Sequence, residues 1–286
     1  MHKTPDTFSR TFSVEEAAPA CDTLSRLTGL PKARIKDCMT KGGVWWSRPG
    51  RSTSRLRRAS AEVKPGERLE INYDPALLAL VPAQPELIAK TRHYSVWNKP
   101  AGVLSQGTRF ADHCTLPRLA QAKLGSRNEL HPVHRLDREA QGIMLLAHDG
   151  KAAAKLGELF RLGKVAKEYA AIVRGIPDWT DIEIDEPLDG KEARSRFHVL
   201  RSDPASDMTL LIARIDTGRK HQIRRHLNGL GHPVMGDPRY GRGTRRVQEL
   251  QLVARSLAFT CPFTGAPRQW AVPDIPFPLT DCISEP

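Results

Sequence analysis

The fold of this chain is best approached from residues 134–149, which are HRLDREAQGIMLLAHD. The second half, Gly142–Ala147, is a short apolar run between turn-forming residues, which predicts a strand buried on both faces. The first half is polar and places Asp137 near Arg135, with Leu136 expected to pin the loop to the core. A carboxylate next to a guanidinium stays ionised, because the cation offsets the cost of burial. These residue types fit either a catalytic carboxylate or a structural Arg–Asp pair.

The composition narrows the class of partner. The chain has 286 residues and a formal net charge of +12, which favours nucleic acid first and an anionic membrane second. Its 5 cysteines are scattered, without a CxxC pair or metal-ligand spacing, so we expect neither disulfides nor a metal site. No apolar run reaches membrane-spanning length, and the amino terminus lacks a signal-peptide core. We therefore expect a cytoplasmic protein with no membrane partner.

The first part of the chain predicts a small basic α/β unit. Apolar spacing indicates one helix from Cys21 and a second over residues 31–43, PKARIKDCMTKGG. A tryptophan pair, an arginine-rich loop and an alternating strand over Arg68–Tyr73 follow. This order resembles the ribosomal-protein-S-four-like (alpha-L) RNA-binding domain, which contacts RNA backbone through a basic helix and loop. We expect this domain at residues 1–74 and a linker at 75–90, although a merely solvated charged surface fits the same residues.

Two features depart from that domain. The arginine loop is long, and Trp45 and Trp46 stand where smaller residues are expected. Exposed tryptophans could stack on bases, whereas buried ones would fill the small core. The sequence leaves both interpretations open.

Beyond residue 90 the pattern alternates between strands and helices. Strands are predicted over Tyr94–Trp97, Lys167–Val173, Thr209–Ile215 and Leu250–Phe259, and an amphipathic helix over residues 150–161. Because side chains alternate along a strand, Lys167 and Tyr169 should share one face. A further helix is expected within residues 218–233, and its first turn should carry Arg219, Lys220, Arg224 and Arg225. Cations oppose the helix dipole there, so they require a compensating carboxylate or phosphate.

Four segments in this order resemble the RluA family of RNA pseudouridine synthases. They are NKPAGVL (98–104), HRLDREAQGIMLLA (134–147), VAKEYAAIVRG (165–175) and TGRKHQIRRHLNGLGHPVMGDPRYG (217–241). The resemblance extends from Arg92 to Phe277. It implies an α+β catalytic domain at residues 91–286, with a mixed, mainly antiparallel central sheet. It also implies isomerisation of uridine to pseudouridine in RNA by a monomer, without a metal or small-molecule cofactor.

The resemblance also implies roles for individual residues. Asp137 matches the catalytic acid, Tyr169 the tyrosine that lies against the target base, and Arg224 the arginine that pairs with the acid. Arg135 matches the side chain that enters the RNA helix as the target nucleotide flips out, which offsets lost stacking. Lys167 could contact the phosphate of that nucleotide. The expected RNA contacts are therefore His134, Arg135, Lys167, Arg219 and Gln222.

Two departures from the family pattern lie near these motifs. Ala140 and Gln141 stand where the family often has Thr and Ser, and Val253 stands where many members have His. Loss of the two hydroxyls is expected to alter how the loop is held. The departures indicate a distinct subgroup, so the family does not fix the RNA target. We favour 23S ribosomal RNA because the accessory domain is common in enzymes of that target, with tRNA as the other possibility.

Two alternative functions remain. One is a catalytically silent RNA-binding protein or ribosome assembly factor, which would not require Asp137, Tyr169 and Arg224 together. The other is a nucleoside hydrolase, which would prefer a second carboxylate to position water. Only Glu139 accompanies Asp137, and we interpret it as a solvated loop charge.

Overall fold

The structure is a computed structural model and describes residues 6–242, 244, 247, 249–273 and 275–277. The chain divides into two units. The first comprises Met1–Pro82 and Gln106–Leu119, and the second comprises Ala83–Ser105 and Ala120–Pro286. None of the helices among the described residues has the length and apolar character that a membrane crossing requires. Cys282, counted above with the scattered cysteines, lies outside the described residues.

The first unit is built on a four-stranded sheet of order β1-β6-β3-β4 and a small β2-β5 pair. Its elements are β1 (Phe8–Ser13), β2 (Ala18–Pro19), α1 (Ala20–Thr28), α2 (Lys32–Thr40), β3 (Val44–Ser47), β4 (Ser54–Arg55), β5 (Glu62–Val63), β6 (Arg68–Tyr73) and α3 (Pro75–Leu78). The two predicted helices are α1 and α2, and Gly29 ends α1 in the left-handed conformation, which glycine adopts without strain.

Two findings about the first unit were not expected from the sequence. The stretch interpreted as a linker supplies α3 to the first unit and a strand at Glu86–Lys90 to the second. In addition, Gln106–Leu119 joins the first unit although it follows a strand of the second. Ala111 lies in the core of the first unit, and the Asp112 carboxylate forms ion pairs with the arginine loop. Local patterning cannot reveal such an excursion, because the contacts that define it are with residues far away in the sequence.

The second unit is built on a ten-stranded sheet. Its elements are β7 (Glu86–Lys90), β8 (Tyr94–Lys99), α4 (Leu116–Leu124, which begins in the first unit), β9 (His131–Pro132), β10 (Gln141–Ala147), α5 (Gly150–Arg161), β11 (Ala166–Arg174), β12 (Asp181–Ile184), β13 (Ser195–Asp203), β14 (Met208–Ile215), α6 (Gln222–Gly229), β15 (Leu252–Thr260) and β16 (Pro267–Ala271).

The strand order is β12-β13-β14-β11-β15-β10-β8-β7, with β16 paired to β15 and β9 to β10. The β10–β15 pair is parallel and the other pairs are antiparallel, which confirms the predicted mixed, mainly antiparallel sheet. The close approach of β10 to β15 requires Gly142. Its φ is 115°, and a Cβ there would lie 2.4 Å from the Ala254 carbonyl oxygen.

Two helices of the second unit pack apolar side chains onto the sheet. Ala152 and Leu156 of α5 join the core cluster of β8 and β10, and Asp149 caps this helix by accepting the Ala152 N–H at 2.8 Å. Ile223 and Leu227 of α6 join the cluster of β11, β13 and β14. Helix α5 therefore packs against β10, the strand that follows the Asp137 loop, and α6 packs against β11, β13 and β14.

Helix α6 begins later than predicted. Its N-cap, His221, has a left-handed φ of 55°, so the helical path cannot continue toward Arg219 and Lys220. The expectation that these two cations lie in the first helical turn is therefore wrong. Arg224 and Arg225 do lie near the helix start, and carboxylates compensate both of them, Asp137 and Asp237 for the first and Asp189 for the second.

Candidate active site

The loop that carries Asp137 is anchored on both sides of that residue. On one side the Ser105 hydroxyl donates to the Leu136 carbonyl oxygen at 2.6 Å and accepts the Leu136 N–H at 2.9 Å. On the other side the Arg138 carbonyl oxygen accepts the Gly102 N–H at 2.8 Å. Leu136 is buried, as the sequence predicted. These bonds use backbone atoms, so they fix the path of the loop whatever its side chains are.

Lys99 adds a third anchor from the end of β8. Its ammonium group is fully buried and donates to the carbonyl oxygens of Val103 at 2.8 Å, Pro100 at 3.1 Å and Arg138 at 3.3 Å. Burial lowers the pKa of Lys99 to about 7, although Asp137 and Glu139 oppose this shift. The buried amino group of Lys99 thus ties the turn after β8 to the loop that carries Asp137.

Arg224 connects two carboxylates. Its Nη1 donates to Asp137 Oδ2 at 2.9 Å, while its Nε and Nη2 donate to the two oxygens of Asp237 at 2.7 and 2.8 Å. The Arg224 and Asp237 side chains are 2% and 0% exposed, against 14% for Asp137. The guanidinium is therefore clamped from within the protein and presents one edge to the more accessible carboxylate.

Electrostatics keeps this arrangement charged. Burial alone would lower the pKa of Arg224, but hydrogen bonds to Asp237 and Asp137 outweigh it and raise the pKa. Burial alone would raise the pKa of Asp237, but Arg224 and the backbone N–H groups of Tyr240 and Arg239 hold that pKa below its ordinary value. Arg224 and Asp237 therefore form a charged pair at neutral pH, and the guanidinium remains a full cation next to Asp137.

His221 and Tyr240 border the same carboxylate. His221 Nε2 lies 3.7 Å from Asp137 Oδ1, and its Nδ1 lies 3.0 Å from the Tyr240 hydroxyl. Burial lowers the pKa of His221, and Asp137 opposes the shift. Because an ordinary histidine has a pKa of about 6.5, a pKa below that value leaves this imidazole neutral at pH 7.

A cavity of about 160 Å³ lies beside Asp137. Arg135, Tyr169 and Arg219 line it together with Asp137 and Arg224. Burial, with a contribution from the negative charge of Asp137, raises the pKa of Tyr169, so its phenol stays protonated at neutral pH. Since cavities for whole drug-sized ligands measure roughly 300–1,000 Å³, this one suits a single planar base.

Other sequence-predicted RNA contacts have internal partners in the fold. Gln222 is 3% exposed. Its amide oxygen accepts hydrogen bonds from the Thr217 hydroxyl and the Arg219 N–H. Its amide nitrogen donates to the Arg194 carbonyl oxygen and the Ser195 hydroxyl. His134 accepts the Leu145 N–H at 3.0 Å and stacks on Phe160, and burial lowers its pKa to about 3. Both side chains therefore hold the loops around the cavity. His134 is not among the cavity-lining residues, unlike Gln222.

Glu139 is more than a solvated charge. Its side chain is 40% exposed, yet its Oε2 lies 3.8 Å from Arg224 Nη1, the nitrogen that binds Asp137. Glu139 is not among the residues that line the cavity. It therefore adds negative charge near the Arg224–Asp137 pair and is not placed in the cavity as a second acid would be.

The two departures from the family pattern meet in the sheet. Gln141 of β10 is the direct partner of Val253 of β15. Ala140 is 3% exposed and packs in the same core cluster as Tyr169, and Val253 is 5% exposed in a neighbouring cluster. Sequence separation hid this pairing, because the two residues are far apart in the chain.

The sequence also did not single out Asp237 or Ser105. The sequence contained one indication of Asp237: Arg224, a cation at the start of a helix, requires an anion nearby. Ser105 carried no recognisable signal. Among the described residues, no cluster of three or more His, Cys, Asp or Glu side chains has an arrangement that could hold a metal ion.

Comparisons with known proteins identify the family. The family model described as RNA pseudouridylate synthase matches residues 93–229. Ribosomal large subunit pseudouridine synthase C of Yersinia pestis is 30% identical, covering 89% of this chain and 88% of that protein. Dual-specificity RNA pseudouridine synthase RluA of Vibrio parahaemolyticus is 32% identical, covering 62% and 78%.

A solved structure has the same fold. Human RNA Pseudouridylate Synthase Domain Containing 4 is 27% identical, with a TM-score of 0.55, covering 67% of this chain and 89% of that one. Sequence motifs, sheet topology and relatives therefore agree. The chain is a member of the RluA family of RNA pseudouridine synthases, isomerases that convert uridine in RNA to pseudouridine.

Proposed function

We propose that this protein converts specific uridines of 23S ribosomal RNA to pseudouridine, with Asp137 as the catalytic carboxylate. The observation that carries this proposal is the single Nη1 bond, 2.9 Å long, from the clamped Arg224 to Asp137 at the edge of a base-sized cavity. Arg224 binds Asp137 Oδ2, whereas Asp137 Oδ1 is not bound by Arg224 and lies 3.7 Å from His221 Nε2, so Oδ1 is the oxygen we expect to react.

Two chemical routes use the same carboxylate. Asp137 attacks the sugar carbon as the glycosidic bond breaks, or it removes a sugar proton as the base departs. In both routes the uracil leaves as an anion, turns within the cavity and bonds through its C5 to the sugar C1′. Formation of that bond releases Asp137 in the first route, and in the second route Asp137 returns the proton to the sugar. The C5 proton then leaves, and N1 gains one proton. Because the phenol of Tyr169 stays protonated, Tyr169 packs against the base and donates a hydrogen bond. In both routes the freed carboxylate of Asp137 accepts the C5 proton at the end.

The target nucleotide has to leave its helix before its glycosidic bond is accessible. Arg135 is exposed at the mouth of the cavity, a position that supports its role as the side chain that fills the vacated stack. Arg219 also lines the cavity, but its Nε donates to the Glu192 carbonyl oxygen at 2.7 Å. Its remaining guanidinium nitrogens suit a phosphate of the flipped nucleotide.

The choice of ribosomal RNA rests on the relatives and on charge. The relative named for the large ribosomal subunit aligns over 89% of this chain, whereas the one named dual-specificity aligns over 62%. The longer alignment exceeds the second unit and so includes part of the basic first unit. We infer that the first unit, as an S-four-like domain, contacts RNA backbone.

Only some arginines of the first unit are available for RNA. Arg55 and Arg57 bind Asp112 and nearby carbonyl oxygens, and Arg48 lies over the ring of Trp46 at 4.2 Å. Arg51 and Arg58 are exposed. We therefore expect Arg51→Ala combined with Arg58→Ala to weaken RNA binding and its salt dependence in the full chain. Deletion of residues 1–80 is a poorer test, since it would also remove the surroundings of Gln106–Leu119.

The proposed function is tested by mapping pseudouridines in RNA from cells with and without this protein. Wild-type protein should restore the missing sites, and Asp137→Asn should restore none while its RNA affinity stays within about tenfold of wild type. Asp189→Asn, an exposed carboxylate paired with Arg225, is the matched control and should restore all sites. If all the sites that depend on the protein lie in tRNA, then tRNA and not ribosomal RNA is the target. RNA binding without any site that depends on wild-type protein would favour a catalytically silent RNA-binding protein.

A further inference from the structure

A second and larger cavity adjoins the one beside Asp137. Its volume is about 800 Å³, against about 160 Å³ for the smaller cavity. Ile215 lines both, so the two spaces share a wall. They are also linked along β11, where Lys167 lines the larger cavity and Tyr169, two positions on and on the same face, lines the smaller one.

More cations than acids line the larger cavity. Its described lining includes Asp216 as the only acid and the cations Lys164, Lys167, Arg196, Arg214 and Arg268. Its walls also include apolar side chains, among them Val165 and Phe259. Sugars and bases can pack on apolar groups while phosphates contact the cations around them, so this combination suits a nucleotide strand.

The five cations are not equivalent. Arg196 binds Glu183 and Asp216, and Arg214 binds Glu168, so carboxylates already neutralise both. Lys164 and Arg268 are exposed, and neither forms an ion pair among the described residues. Lys167 is half-buried near Asp216. The uncompensated charge of the cavity therefore comes mainly from Lys164 and Arg268.

We propose that the larger cavity binds the sugar-phosphate backbone of the nucleotides that flank the target uridine. This inference rests on the proposed function, because it places the uracil in the smaller cavity. A nucleotide adjoining that uridine must lie within one backbone repeat of it, and the larger cavity begins at Ile215, the wall that both spaces share. The substrate strand therefore continues past Ile215 into the larger cavity, where Lys164 and Arg268 contact its phosphates.

The test is a double variant, Lys164→Ala with Arg268→Ala, in the full chain. Binding to 23S ribosomal RNA transcribed in vitro is measured at several salt concentrations, and pseudouridine formation is measured against RNA concentration. The matched control is Lys151→Ala with Arg201→Ala, which also removes one exposed lysine and one exposed arginine from the second unit but from neither cavity.

We expect the Lys164/Arg268 variant to raise Kd roughly tenfold and to lower the slope of log Kd against log salt by about 0.7–0.9 for each cation lost. KM should rise more than kcat falls, and the control should match wild type. Kd and slope equal to those of the control would overturn the inference, as would a loss confined to kcat. Unfolding midpoints of all variants check that the comparison is between folded proteins.

Failure of this inference can be separated from failure of the proposed function. If wild type forms pseudouridine and the Lys164/Arg268 variant behaves like the control, only the inference fails. If wild type forms none but its RNA binding still depends on Lys164 and Arg268, only the proposed chemistry fails.

Discussion

Asp237 holds Arg224 by two hydrogen bonds of 2.7 and 2.8 Å, and both side chains are almost completely buried. Asp237 Oδ1 also accepts the backbone N–H groups of Arg239 and Tyr240 at 2.8 and 3.0 Å. A carboxylate with this many donors is rigid, and it fixes the plane of the guanidinium. Because Nε and Nη2 are held by Asp237, the orientation of the third nitrogen, Nη1, toward Asp137 is also fixed.

Asp237→Asn should therefore impair both stability and turnover. Loss of one partner from a buried ion pair costs about 3–5 kcal/mol, so the urea midpoint should fall sharply. At permissive temperature kcat should drop more than RNA affinity, because Arg224 loses its fixed plane. Asp189→Asn breaks the exposed pair with Arg225 on the same helix and should leave both quantities unchanged. Equal effects of the two variants would contradict the role given to Asp237.

Arg224→Lys tests whether one cation must reach both carboxylates. A lysine has a single charged nitrogen and cannot form the bidentate contact with Asp237 while it also reaches Asp137. We expect kcat to fall by about 100-fold, as a displacement of about 1 Å at a reacting centre can cause. Arg225→Lys, one residue further along α6, is the control. Single-turnover rates of pseudouridine formation measure the effect, and near-wild-type rates for Arg224→Lys would mean that charge alone suffices.

Ser105→Ala should loosen the Asp137 loop at Leu136, whose backbone the Ser105 hydroxyl binds. The substitution leaves the N–H and carbonyl groups of Leu136 without their partner, at about 1–3 kcal/mol for a buried group. The expected result is a lower kcat at nearly constant RNA affinity. Ser202→Ala, which removes a hydroxyl bonded to Thr209 at 3.0 Å between β13 and β14, should change the unfolding midpoint without a selective loss of kcat. A similar kcat in both variants would exclude loop positioning by Ser105.

The pKa of His134 predicts one part of the acid sensitivity of the fold. Burial lowers that pKa to about 3, with a smaller contribution from Lys167, whereas the unfolded value is about 6.5. Between these values the unfolded chain binds more protons, so the free energy of unfolding rises with pH across that range and falls on acidification.

His134→Gln removes the titrating group and keeps a hydrogen-bond acceptor for the Leu145 N–H. Urea midpoints between pH 3.5 and pH 7 should then depend less on pH, by at most about 1.4 kcal/mol per pH unit. The remaining dependence comes from other histidines whose pKa burial lowers: His113, His148, His221 and His226. An unchanged slope would mean that His134 contributes nothing to acid unfolding.

The sequence by itself determined the local elements and the family. An apolar run of six residues predicts β10, helical spacing of apolar residues over 150–161 predicts α5, and both lie where expected. The hydrogen bonds of α5 join neighbours in the chain, so local geometry settles that helix. The strand β10 pairs with distant strands, and the sequence reveals it only through its apolar run. The motifs also brought Asp137, Tyr169 and Arg224 together, although only through their resemblance to a family.

The tertiary structure decided how the Asp137 loop is held. Lys99, Ser105 and Asp237 act through contacts with residues 13–39 positions away, and the Gln141–Val253 pair spans more than a hundred. Likewise, Gln106–Leu119 leaves the second unit to complete the first. The spacing of apolar residues along a helix or strand shows only which face of that element packs against the core. Which distant residue meets it there depends on packing, and that packing sets the geometry of the loop described at the outset, from His134 to Asp149.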